Sequence, residues 1–129
     1  SGVAPISRYL KHGLHVGLAT DVAGGSHENL LRAMAHAIQA SKLRWRLYDQ
    51  DVAPLTFDQA FYIATMGGGE FFGKVGTFAV GYELDAVVLD DASLDHPQPL
   101  SVRDRVERAV YLADDRNITA KFVAGDQIF

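Results

Sequence analysis

The run Val16-Gly17-Leu18-Ala19-Thr20 is apolar at successive rather than alternate positions, and it stops at Asp21 just before the pair Gly24-Gly25. Side chains of a strand alternate between faces, so an unbroken apolar run is the pattern of a strand covered on both sides, as in a parallel sheet. Such a strand needs neighbours reached by crossover connections. The 129 residues offer no second βα unit of the same kind. The run is therefore expected to belong to a sheet whose other strands lie upstream of residue 1. The first half of the chain would then be the final βα unit of a barrel or doubly wound sheet. A start at Ser1-Gly2-Val3 rather than at methionine fits a piece of something longer.

The flanking pattern supplies the other elements. Ile6, Tyr9 and Leu10 predict a short helix over 4–12, ended by Gly13. Residues 15–20 are the strand. A long helix is expected over 27–47, with Ser26 as N-cap, Glu28 in its first turn, and Leu30, Met34, Ala37, Ile38, Ser41 and Trp45 on one face. Pro54 breaks the chain, and Thr56-Phe57-Asp58-Gln59 matches a capping box, with Leu55 and Ala60 as a hydrophobic staple. Further on, 75–78 and 85–89 predict strands separated by a turn at Gly81, 101–113 a helix, and 118–123 a last strand turning at Gly125-Asp126. The order is helix, strand, helix, helix, then a β-rich tail with one inserted helix.

Composition narrows the function classes. A formal charge of −4 disfavours non-specific nucleic-acid binding. No apolar run approaches the roughly 18 residues a membrane helix needs. With no signal-peptide pattern at the start, a cytoplasmic setting is expected, and the absence of cysteine fits it. That absence also excludes a Cys-ligated zinc site.

Few residues carry chemistry on spacing alone. Asp21 ends the strand, and barrel enzymes gather functional side chains at the C-terminal ends of strands. A carboxylate there can hold a metal or take a proton from a metal-bound water. It can equally terminate the strand and bond nearby backbone N–H groups, and spacing alone favours that reading. His12, His15, His27, His36 and His96 form no H-x-H or H-E-x-x-H pair. His27 follows the Asp21 loop and reads as an exposed first-turn residue; His36 reads as a helix-surface residue. Met66-Gly67-Gly68-Gly69-Glu70 lacks the lysine and hydroxyl of a phosphate loop, so a helix C-cap with close packing is expected. Asp114-Asp115-Arg116-Asn117 reads as an Arg–Asp network fixing a corner.

Three segments resemble one family. "VGLATDVAGG", "AFYIATMGGGEFFGKVGTFAVGYELDAVVLDD" and "LADDRNITAKFVAGDQIF" are similar, in order and in register, to segments of the guanine deaminase branch of the amidohydrolase superfamily. The resemblance covers essentially the whole chain. It implies an α/β fold: residues 1–73 as the C-terminal portion of a (β/α)8 amidohydrolase barrel, and 74–129 as the C-terminal part of a small β-sandwich. It implies that Asp21 matches the family's zinc-binding aspartate, which also serves as a base, with one Zn2+ per active site. The implied activity is hydrolytic deamination of guanine, a small-molecule purine substrate, to xanthine and ammonia by a full-length dimer. The other zinc ligands, the proton-shuttling glutamate and the guanine-gripping residues of the family fall upstream of this chain, which is expected to be inactive alone. It is also expected to be poorly soluble, because residues 16–20 would be an unpaired apolar strand. Two alternatives stay open: a related amidohydrolase acting on another heterocycle, as an aminohydrolase or chlorohydrolase, or a non-catalytic truncated domain used for assembly.

Overall fold

A computed structural model describes residues 2–129. Its elements are α1 (Ile6–Lys11), α2 (Leu30–Leu47), α3 (Phe57–Ala64), a short helical turn α4 (Met66–Gly69), β1 (Ala86–Leu89), α5 (Val102–Leu112), β2 (Ile118–Val123) and β3 (Asp126–Gln127).

The core forms where the amphipathic faces of the helices meet. Met34 and Ile38 of α2, Leu55, Ala60 and Ile63 at and within α3, and Val110 of α5 make one buried cluster. Ile6 and Leu10 of α1 and Val16 and Leu18 of the following segment pack against it. The capping box closes as expected: Thr56 Oγ1 accepts from the Gln59 N–H, and the Gln59 side chain accepts from the Thr56 N–H. Ser41 ties α2 to the start of α3, accepting from the Leu55 N–H while donating to the Ile38 carbonyl.

Residues 15–20 do not form a strand among the described residues. Val16, Leu18 and Thr20 are half-buried while Gly17, Ala19 and Asp21 are exposed, so one side of the segment packs on the helices and the other is open. The Leu18 N–H donates to the Ile63 carbonyl, at the end of α3. A strand is defined by its ladder, and among the described residues no strand pairs with the segment. The alternation of burial leaves a continuous apolar run on a chain that covers only one of its faces.

Three other expectations are corrected. The long helix starts at Leu30, and its N-cap is Asn29 rather than Ser26; Asn29 Oδ1 accepts from the N–H groups of Leu31 and Arg32. Glu28 thus precedes the helix. The glycines at 67–69 do not cap α3; they continue as α4, because the space requires them. A Cβ on Gly67 would sit 2.4 Å from the Val16 carbonyl oxygen, and one on Gly69 2.8 Å from that of Val75. Residues 75–78 are not a strand either. Gly76, at φ +86°, lets the chain pass against the end of α3, where a Cβ would meet the Thr65 carbonyl at 2.6 Å. This crossing directs the segment along a helix end rather than along a sheet.

The β-rich tail is a three-stranded antiparallel sheet in the order β1-β2-β3, with a register shift between Val88 and Leu89. Ala124 (φ +50°) and Gly125 (φ +88°) make the β2–β3 turn, the sign pattern of a tight hairpin. Asp85 Oδ1 accepts from the Ala124 N–H. The expected strands at 85–89 and 118–123 are both present.

Candidate functional site at the Asp21 turn

Asp21 stands at the end of the extended segment in a left-handed backbone conformation, φ +53°, and Ala23 follows at φ +72°. Asp tolerates this region better than most residues; Ala does not. The turn is drawn tight over the aspartate. Its carbonyl accepts from the Gly24 N–H at 2.9 Å and also from the Gly25 N–H. A Cβ on Gly24 would lie 2.7 Å from Asp21 Oδ2, and one on Gly25 would lie 1.9 Å from the Thr20 carbonyl oxygen. The two glycines are therefore required for the chain to fold back this closely. Asp21 itself is exposed, and its carboxylate forms no ion pair among the described residues.

The carboxylate is an oxygen donor of a kind zinc accepts. No three His, Cys, Asp or Glu side chains come close enough to hold a metal ion among the described residues. Asp21 thus offers a single candidate ligand and is not part of a metal centre among the described residues. Two cavities lie beside α1, one of about 20 Å³ lined by Arg8, Arg44, Trp45 and Asp49, the other of about 360 Å³ lined by Leu10, Lys11, Pro54 and Gln59. Neither reaches Asp21.

The histidines separate into different roles. His12 is the exposed C-cap of α1. His15, six residues before Asp21, lies with Nδ1 2.6 Å from Glu70 Oε2, while the Tyr62 hydroxyl donates to Glu70 Oε1 at 3.0 Å. The His15 and Tyr62 hydrogen bonds hold the Glu70 carboxyl below the usual glutamate range. Placed at the start of the extended segment, this cluster is a brace rather than part of the Asp21 turn. His96 is occupied by the backbone of Gln98. His27 departs from expectation: it is half-buried in the loop before α2, with Nε2 3.2 Å from Nδ1 of the exposed His36. Sequence spacing missed this pair because the helix begins three residues later than its first capping candidate.

The Asp114–Asn117 corner is structural, as its composition predicts. Arg116 pairs with Asp114 at 2.6 Å, and the Arg116 hydrogen bonds hold that carboxyl below the usual aspartate range. Asn117 is buried; its Nδ2 donates to the Asp90 carbonyl and to Ser93 Oγ, and its Oδ1 accepts from the Asp114 N–H.

With this geometry established, residues 1–128 match the amidohydrolase family. The chain belongs to that family. It is 33% identical to the guanine deaminase of Homo sapiens over 99% of its length, and 30% identical to that of Dictyostelium discoideum over 99%. Among solved structures it is similar to the guanine deaminase of C. acetobutylicum with guanine bound in the active site, with 43% identity, a TM-score of 0.93 and 100% of this chain covered. The E. coli guanine deaminase superposes with a TM-score of 0.81 at 26% identity over 99% of the chain. In all four cases this amidohydrolase chain spans 30% of the relative's length. No helix of the described residues is long and apolar enough to cross a membrane.

Proposed function

We propose that this chain is the C-terminal part of a zinc-dependent guanine deaminase and that Asp21 is its zinc-binding and proton-accepting carboxylate. The observation that carries the reading is the Asp21 turn at the end of an apolar segment, in a chain closely superposable on a guanine-bound relative. Residues 1–73 are assigned to the last βα unit of a (β/α)8 barrel, and residues 74–129 to the C-terminal portion of a small β-sandwich. The open face of residues 15–20, opposite the face that packs on the helices, supports the first assignment, since a barrel strand turns one face to the surrounding helices and the other to the barrel interior.

Within this arrangement the residues of the chain do three things. The Thr20–Gly25 turn fixes the Asp21 backbone and presents its carboxylate at the end of the segment, where barrel enzymes gather their functional groups. Its exposure leaves both oxygens available, one to hold the metal and one to accept a proton from water as guanine is deaminated. Gly24 and Gly25 keep the following loop tight, leaving the carboxylate unobstructed. When bound, zinc supplies a water acidified towards neutral pH.

The test is Asp21→Asn in the intact protein, followed by guanine-to-xanthine absorbance. Turnover should fall by roughly 10²–10⁴-fold with the fold retained, and zinc content should fall alongside. Unchanged turnover would remove Asp21 from the reaction, and an intact wild-type protein inactive on guanine but active on another heterocycle would overturn the substrate.

A further inference from the structure

His27 and His36 bring two imidazoles together just beyond the Asp21 turn, one from the loop and one from α2. Their facing nitrogens, His27 Nε2 and His36 Nδ1, are 3.2 Å apart, and the ring centroids are 4.9 Å apart at 60°. The remaining nitrogen of His27, Nδ1, is buried and has no hydrogen-bond partner among the described residues. A buried polar atom in a purely structural role is expected to find a hydrogen-bond partner; Nδ1 of the half-buried His27 has none among the described residues.

The spacing has a second meaning. Two imidazole nitrogens bound to one tetrahedral ion at about 2.0–2.1 Å each lie about 3.3–3.4 Å apart. The pair is within a few tenths of an ångström of that separation, on two elements that need not move towards each other. We propose that His27 Nε2 and His36 Nδ1 form a two-histidine chelating site for a divalent transition ion such as Zn2+ or Ni2+, which clamps the loop after Asp21 onto α2. Imidazole nitrogen suits these ions and not Mg2+ or Ca2+. The chemistry balances without proton release: the one proton held between the facing nitrogens moves, on ion binding, to the other nitrogen of the ring that carried it. Both facing lone pairs then point at the ion, and water fills its remaining positions, since His36 is exposed.

This site rests on the two side chains and not on the deaminase reading, so its test does not use turnover. Ni2+ is titrated into the intact protein against a competing chromogenic chelator at neutral pH, with hydrogen exchange followed at the amides of 26–28. One Ni2+ per chain is expected to bind and to slow exchange in the loop. His36→Gln, a change at an exposed position, is expected to weaken that binding by at least about tenfold, the lower end of what even an outer-sphere change costs a metal site. His12→Gln, at the far end of α1, leaves binding unchanged. The proposal is overturned if His36→Gln binds Ni2+ as the unsubstituted protein does, or if neither protein binds an ion at neutral pH.

Discussion

The helical half of the molecule and its C-terminal sheet are held together differently. In the helices, Leu55, Ala60 and Ile63 are almost entirely withdrawn from solvent, and α1, α2, α3 and α5 all contribute to that cluster. None of the residues of β1, β2 or β3 is buried, and Val87 and Val88 are about half exposed. Between α4 and β1, Phe71, Phe72, Phe78 and Val80 are exposed as well. The nearest buried anchor of the sheet is a polar one, Asn117, at the turn that leads into β2. One half is thus stabilised by apolar packing of its own; the other presents apolar strands whose order comes from ladders and a hydrogen-bonded corner.

The sharpest way to break this contrast is to compare truncations in the two halves. Ile63→Ala is expected to cost about 2–5 kcal/mol by urea denaturation, through lost burial and the cavity left behind. Val88→Ala, on the open sheet, should cost less than about 1 kcal/mol. Equal costs would abolish the distinction. Next in size is Asn117→Ala, which strips the Asp90 carbonyl, Ser93 and the Asp114 N–H of a buried partner and should cost about 1–3 kcal/mol. If Asn117→Ala proved milder than Val88→Ala, the corner would not be the anchor of the sheet. Asn29→Ala removes the cap of α2 and should cost about 1 kcal/mol, seen as a lower unfolding midpoint with the core packing intact.

The smallest effect is acid sensitivity. Asp49 beside Arg8 and Glu70 beside His15 lie below their usual carboxyl ranges in the helical half. Asp91 beside Arg105, Asp104 beside Ser101 and Asp114 beside Arg116 do so in the other. A depressed native value means stability that is complete above the unfolded value, about pH 4, and lost as pH falls through the native one. Unfolding midpoints measured downward from about pH 5 should therefore decline, and Asp91→Asn with Asp114→Asn should flatten the decline. An unchanged slope in that double variant would locate the acid-sensitive contacts elsewhere.

Local signals were readable in the sequence where they depend on local partners. The Thr56–Gln59 box, the Gly13 stop and the Asp114–Asn117 turn all close on bonds within a few residues of themselves, while the strand at 118–123 was legible from its composition although its ladder runs to β1. Elements whose form is set by distant crossings or missing ladders were not. Residues 15–20 have the composition of a strand, but a ladder requires neighbours, and among the described residues none pairs with them. Residues 75–78 were misread because Gly76 is set by a crossing with Thr65, and no periodicity announces a crossing. Ser26 and Asn29 are both good caps by type, and composition alone does not show that Asn29 is the one whose side chain accepts from the first-turn N–H groups. Asp21 was marked by its position and its glycines, yet the role proposed for it came from resemblance, because no H-x-H or H-E-x-x-H pair in the sequence marks a ligand set beside it.

The left-handed backbone at Asp21 also restricts what mutation can explore there. At φ +53° the residues tolerated best are Gly, Asn, Asp and His. In the genetic code Asn, His and Gly are each one nucleotide change from Asp. Drift at this position is channelled towards an amide, an imidazole or no side chain, while Glu, the chemically nearest carboxylate, must also bear the strain. The turn thus filters evolutionary trials before any chemistry does.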